Sequence, residues 1–195
     1  LQKHQRDKAT QTELFHDAAA GLRRLEQRVE NILQNNRIVS GQAMRKEPFD
    51  IESVLQQVIE MQQTGPYRDR EVRLIPSNEA IGLLEGDADA LALAWGNLLE
   101  NALKYSPEHE EVVIEIRAGK GHLFCDFDDG GPGIPRTKRA LAIQKFERIE
   151  HSETTGTGLG LYLADQIIRM HDGRLTIGAS QRGGSRIATQ LPLIS

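Results

Sequence analysis

Positions 15, 18, 22, 25, 29, 32, 36 and 39 step alternately by three and four, and they hold Phe15, Ala18, Leu22, Leu25, Val29, Ile32, Asn36 and Val39. All but Asn36 are apolar, which makes this the seam of a heptad repeat. Leu33 widens the stripe toward the broader face that a helix bundle needs. One helix cannot bury such a stripe by itself. It must fold back on the rest of the chain or meet another helix, and its length, strict period and terminal place favour a partner chain. Ser40-Gly41 ends the run, and Glu47-Pro48-Phe49 reads as a short extended link, because proline biases the residue before it away from helix. The expected domain boundary falls there, with residues 1–44 as a long N-terminal helical part and 45–195 as a second domain.

Beyond the link the pattern changes. Asp50 reads as the cap of a helix in which Ile51, Val54, Leu55, Val58 and Ile59 recur at helical spacing, and Thr64-Gly65-Pro66 stops it. Asp87 reads as the cap of a second helix running to about Tyr105, with Leu91, Ala94, Trp95, Leu98, Leu99 and Ala102 on its apolar face. A third helix carries Leu163, Ala164, Ile167 and Ile168 and stops near Gly173. Residues 71–75, 111–117, 122–128, 174–179 and 185–191 read as strands, several with period-two alternation. This mixture predicts an α/β fold, a two-layer sandwich of a mixed or largely antiparallel sheet covered by helices on one face.

Composition removes several function classes. A formal charge of −4 provides no basic field to draw the chain to nucleic acid. The single cysteine, Cys125, sits in an apolar run and reads as a buried, inert thiol, so no disulfide framework or cysteine metal site is expected. No apolar stretch approaches the ~20 residues that span a bilayer. The chain opens on Leu1 within helical sequence, so a longer parent protein is expected upstream.

Three motifs carry chemistry. On the helix from Asp87 to Tyr105, residues Asn97, Asn101 and Lys104 fall in one narrow stripe opposite the apolar face, with Glu100 at its edge. An asparagine oxygen can ligate a hard cation and a lysine can offset phosphate charge, although asparagine and lysine also furnish ordinary solvated faces. After the strand ending at Asp128 comes Asp129-Gly130-Gly131-Pro132-Gly133-Ile134. A carboxylate followed by three glycines in five residues describes either a tight polar turn or a backbone open to a ring, with one fixed acceptor for an exocyclic amine. Further on, Gly156-Thr157-Gly158-Leu159-Gly160-Leu161 opens the third helix, a set of amides and a helix N-terminus suited to an anion. It is neither a dinucleotide fingerprint nor a P-loop, since Leu161 stands where a third glycine belongs and no Gly-Lys-Ser/Thr follows.

Taken in order, Asn97 to Ser106, Asp129 to Ile134 and Gly156 to Leu161 resemble the N box and the two glycine boxes of bacterial sensor histidine kinases. These share a Bergerat-type ATP-binding fold with gyrase, MutL and heat-shock chaperones. The resemblance implies an ATP-binding catalytic domain over residues 45–195, preceded by the second part of a dimerisation hairpin over 1–44. Carried over position by position, it implies that Asn101 ligates Mg2+, that Asn97 supports the metal-phosphate cluster, and that Lys104 contacts phosphate with Tyr105 near the nucleotide. Asp129 would accept from the adenine amine of ATP or ADP, with Gly131, Gly133 and Ile134 shaping the loop beside it. Gly156, Thr157, Gly158, Leu159 and Gly160 would close over the phosphates. Lys145 to Ile149 resembles the F box with Phe146 in place. Its second aromatic is replaced by Ile149 and a frequent arginine by His151, which leaves open whether Arg148 meets the terminal phosphate. The stretch 133–156, rich in charge and threonine, is expected to be a lid that orders on nucleotide.

In gyrase-like relatives a glutamate that activates water occupies the first position of the N box. Here Asn97 stands in that position and cannot act as a base. The implied reaction is transfer of the ATP γ-phosphoryl to a histidine, for relay to an aspartate of a response regulator. Glu100 is the nearest acidic candidate for a direct role. None of His4, His16, His109, His122, His151 and His171 has the surroundings of the family's phosphoacceptor. His16-Asp17 begins that pattern, and Ala18-Ala19-Ala20 abandons it. The acceptor is expected upstream or on a divergent first helix. Expected partners are a second copy through the N-terminal helix and a response regulator receiver domain. The expected location is cytoplasmic, with the parent anchored in the bacterial inner membrane. The alternatives are a regulatory or interaction module that binds nucleotide without kinase activity, and an anti-sigma-type serine kinase on the same fold.

Overall fold

The computed structural model describes residues 44–193 except 80, 82 and 145–157. The heptad helix and the F box therefore lie outside the described residues. In chain order the elements are β1 (Glu47–Phe49), α1 (Ile51–Gln63), β2 (Val72–Ile75), β3 (Leu84–Gly86), α2 (Ala88–Tyr105), β4 (Val112–Gly119), β5 (His122–Asp128), a 3-10 turn (Arg136–Lys138), α3 (Arg139–Ala142), α4 (Gly160–Met170), β6 (Arg174–Ala179) and β7 (Ser185–Pro192).

The expected caps form. Asp50 accepts from the Glu52 amide at 3.2 Å at the start of α1, and Asp87 accepts from Ala90 at 3.0 Å at the start of α2. Each satisfies an amide that the helix itself leaves without a partner, typically worth about 1 kcal/mol. Five strands form a sheet in the order β2-β4-β5-β7-β6, in which β2 runs parallel to β4 and the other neighbours are antiparallel. The mixed sheet agrees with the alternation in the sequence. Along β7 the inward positions Ser185, Ile187, Thr189 and Leu191 are buried and the intervening residues are partly exposed.

The core lies between the inward face of the sheet and the helices. Trp95, Leu98 and Leu99 of α2, Leu163, Ile167 and Ile168 of α4, and Ile114, Leu123 and Phe127 of the central strands are essentially inaccessible. Each such side chain contributes roughly 1.5–3 kcal/mol relative to leaving it in water. The Trp95 indole donates to Thr189 Oγ1 at 3.4 Å and that hydroxyl donates to the Cys125 carbonyl at 3.2 Å, which satisfies the buried indole and hydroxyl. Cys125 is buried as expected, and desolvation, with the neighbouring Asp126 charge second, pushes its thiol well above the usual range.

One expectation changes. The link at Glu47–Phe49 is a strand, paired antiparallel with β3 through Glu47↔Gly86 and Phe49↔Leu84. Three-residue strands are too short to show a period, and Pro48 is tolerated because this ribbon is all edge. In the stretch expected to be a lid, the 3-10 turn and α3 occupy Arg136–Ala142, and residues 145–156 lie outside the described residues. Arg139 Nε, donating to the Ile134 carbonyl at 3.0 Å, ties that turn to the glycine loop before it.

Candidate functional site

The site is built at one end of α2, α4 and β5. At the end of β5, Asp129 is 5 % exposed, and its Oδ1 accepts from the Gly131 amide at 2.8 Å and the Ser185 amide at 3.0 Å. Its own amide donates to the Ser185 carbonyl at 3.0 Å. Both backbone amides end on Oδ1, and among the described residues no hydrogen bond engages Oδ2. Desolvation is the largest influence on this carboxyl and raises it above the usual aspartate range, with the two amides pulling it down and Asp128 pushing it up. Burial without a cation beside it costs an ionised group, and a donor supplied by a ligand would relieve that cost.

The loop around Asp129 is closed by backbone. A Cβ on Gly131 would stand 2.5 Å from the Tyr105 carbonyl, and one on Gly184 would collide with Asp129 and with the Gly131 amide. Gly133 has φ +72°, a conformation that other residues rarely adopt. The Gly130 amide donates to Ser106 Oγ at 3.2 Å. Three distant segments, around residues 106, 131 and 185, thus converge on one carboxylate. Gly184 and Ser185 were not singled out in the sequence, and Ser106 was read only as the end of the N box, with no contact to the glycine loop. The glycine pair 183–184 between two strands was the available signal, and it reads equally well as a plain hairpin turn.

The second part of the site is a helix surface. Asn101 and Lys104 are half-buried on α2, and the Lys104 ammonium sits 5.1 Å from the centre of the Tyr105 ring. Asn97 departs from expectation. It is 9 % exposed, not part of an open face, because the start of α4 packs against it: a Cβ on Gly160 would lie 2.9 Å from its Oδ1. Its Nδ2 donates to the Leu93 carbonyl at 2.8 Å, so the amide oxygen is turned toward the α4 N-terminus. Leu159 caps α4 without a side-chain bond, and Gly158 before it has φ +69°. The leading amides of α4 therefore face the α2 stripe with no capping side chain of their own. Glu100 is exposed overall, yet partial desolvation raises its carboxyl, with Lys104 acting in the opposite direction. Phe146, Arg148, Gly156 and Thr157 lie outside the described residues.

The donor set fits a magnesium ion carried by phosphates. No group of three or more His, Cys, Asp or Glu residues gathers among the described residues, and Asn101 offers one hard oxygen, which suits an ion that keeps water and phosphate as its other ligands.

Residues 86–195 match the family described as histidine kinase-, DNA gyrase B- and HSP90-like ATPase. The chain belongs to this family. Among its curated relatives, the signal transduction histidine-protein kinase/phosphatase MprB of Mycobacterium leprae is 32 % identical over 187 residues, covering 92 % of this chain and 35 % of the relative. The adaptive-response sensory kinase SasA of Synechococcus elongatus is 30 % identical over 185 residues, covering 92 % and 47 %. The chain spans about half the length, or less, of these relatives. Among solved structures, a mycobacterial sensor histidine kinase MprB matches with a TM-score of 0.66 at 30 % identity, over 75 % of this chain and 97 % of that one. The ATP binding domain of PrrB from Mycobacterium tuberculosis matches with a TM-score of 0.62 at 26 % identity, over 77 % and 98 %. The resemblance to sensor histidine kinase catalytic domains read from the three boxes agrees with all of these.

Proposed function

We propose that this chain is the nucleotide-binding, phosphoryl-donating part of a protein-histidine kinase. It binds Mg-ATP and, in the whole protein, delivers the γ-phosphoryl to a histidine for relay to a response regulator aspartate. The observation that carries this reading is Asp129, a buried carboxylate at the end of a strand whose Oδ1 is committed to two backbone amides, and whose Oδ2 would accept from the ligand. An adenine amine supplies the donor. Lys104 and the α4 amides take up phosphate charge. Asn101 would hold the magnesium ion, which when bound neutralises charge on the terminal phosphates. Asn97 orients this cluster from the α2–α4 seam and has no basic group with which to activate water. The chain's own contribution to the reaction is therefore positioning and charge neutralisation, leaving an incoming imidazole nitrogen to attack phosphorus as the bond to ADP breaks.

In the same reading, residues 1–44 are the second half of a dimerisation hairpin whose parent is membrane-anchored, and residues 45–195 are the catalytic domain. Among the described residues no helix is long and apolar enough to cross a membrane. The test uses ATP labelled at the γ-position, with a hairpin carrying the parent's acceptor histidine supplied in trans. Acid-labile, base-stable label should appear on the hairpin and be lost with Asn101→Ala, while the chain alone stays unlabelled. ATP binding with no transfer to any hairpin would favour a regulatory nucleotide-binding module. Self-labelling removed by His16→Ala would make His16 the acceptor.

A further inference from the structure

The last turn of α2 leaves carbonyls that no amide of the helix can reach. A cation from elsewhere in the chain collects them. Arg70, placed in the turn before β2, donates through Nη1 to the Leu103 carbonyl at 2.8 Å. Through Nη2 it donates to the Ser106 carbonyl at 3.2 Å and the Pro107 carbonyl at 2.9 Å, with the Glu110 carbonyl at 3.5 Å. A planar fork of donors suits four carbonyls spread from the last turn of α2 into the loop that follows, which a single ammonium could not span.

The segment gathered by this guanidinium is the wall of the glycine loop. The Tyr105 carbonyl limits what can stand at Gly131, Ser106 Oγ accepts from the Gly130 amide, and the Glu110 carboxylate fills the space over Gly130. Arg70 thus holds residues 103–110 from one side while Gly130 and Gly131 lean on them from the other. We propose that Arg70 is a positioning residue for the adenine end of the site: it sets the 103–110 segment so that the Asp129 loop is held in the form that accepts nucleotide, without touching nucleotide itself. This inference rests on the nucleotide-binding reading given above.

An arginine that merely caps α2 would change stability and leave the affinity of the folded chain alone. The experiment therefore titrates ADP calorimetrically into the whole chain, wild type, Arg70→Met and Arg70→Lys, at a temperature where each is folded, once with Mg2+ and once with EDTA. Arg70→Met is expected to bind ADP about tenfold more weakly, as for loss of one charge-assisted hydrogen bond, and by a similar factor in EDTA, because the effect travels through the adenine loop. Arg70→Lys should recover part of that loss. In the nucleotide-free Arg70→Met protein the Gly130 and Gly131 amide resonances should shift. Folded Arg70→Met with wild-type affinity, or a loss that disappears in EDTA, would overturn the proposal, as would failure of both variants to fold. A wild-type chain that binds no ADP would instead sink the nucleotide reading itself, before any variant is made.

Discussion

The two ends of the site are made in opposite ways. At the phosphate end, Asn97, Asn101 and Lys104 stand at three- and four-residue intervals on one helix, so a single periodic element brings them together. At the adenine end, Asp129 is held by amides from Gly131 and Ser185, and its loop leans on Ser106, so three stretches of chain must meet before one acceptor is in place. A site built on a helix tolerates substitution of one side chain at a time. A site built from converging backbone fails when any of the walls moves, and the two ends should therefore respond differently to small changes.

The largest effect is expected from Gly184→Ala. The added methyl meets Asp129 and the Gly131 amide, both fixed by backbone, so the loop must move. Such overpacking should cost about 2–3 kcal/mol of stability and abolish ADP binding. Urea unfolding and calorimetry on the same sample check this, and a folded Gly184→Ala chain with normal affinity would show that the adenine end is more yielding than its geometry.

Asn101→Ala should behave in the opposite manner. The residue is half-buried, so stability should change by less than about 0.5 kcal/mol. Binding of Mg-ADP should weaken on the order of tenfold, while ADP in EDTA should bind unchanged. Equal losses with and without the metal would mean that Asn101 works through the protein and not through an ion.

This contrast also explains what was legible in the sequence. The α2 stripe and the caps Asp50 and Asp87 could be read because helical spacing is local, and the strands of the five-stranded sheet because alternation is local too. Asp129, Gly131 and Gly133 could be read because glycines crowd beside a carboxylate. Ser106, Gly184 and Ser185 could not, because their roles exist through contacts 24 to 56 residues away in sequence. The burial of Asn97 was missed for the same reason: the helix that covers it begins at Gly160.

Acidity should separate the two ends further. Asp129 is the stronger, charge-assisted acceptor when ionised, and desolvation raises its carboxyl above the usual aspartate range. ADP affinity should thus fall as pH is lowered through that raised value, and Asp129→Asn should flatten the dependence. A profile that is identical in the two proteins would place the titrating group elsewhere.

The smallest effect concerns the far end of α2. His171 is buried, its Nδ1 lies 2.8 Å from the Ile167 carbonyl, and its Nε2 accepts from the Asp87 amide at 3.0 Å, an arrangement that requires the neutral ring. Desolvation, the largest influence, lowers its pKa from the ordinary 6.5, and Lys46 lowers it slightly, against the Ile167 carbonyl, Asp87 and Asp172. The unfolded chain takes up this proton more readily. Stability from the neutral ring is therefore complete above about pH 6.5 and is lost as pH falls through the folded value. The difference between wild type and His171→Gln in urea midpoint should shrink on acidification. A difference independent of pH would show that protonation of His171 is not linked to folding.

The central claim is that the buried Asp129 carboxylate receives an adenine amine. Calorimetric titration of ADP into the wild-type chain and into Asp129→Ala tests it most directly. The account predicts saturable one-to-one binding by wild type and a loss of about 1.5–3 kcal/mol in the variant, the range for a hydrogen bond to a charged group. A folded Asp129→Ala chain that binds ADP as tightly as wild type would contradict it.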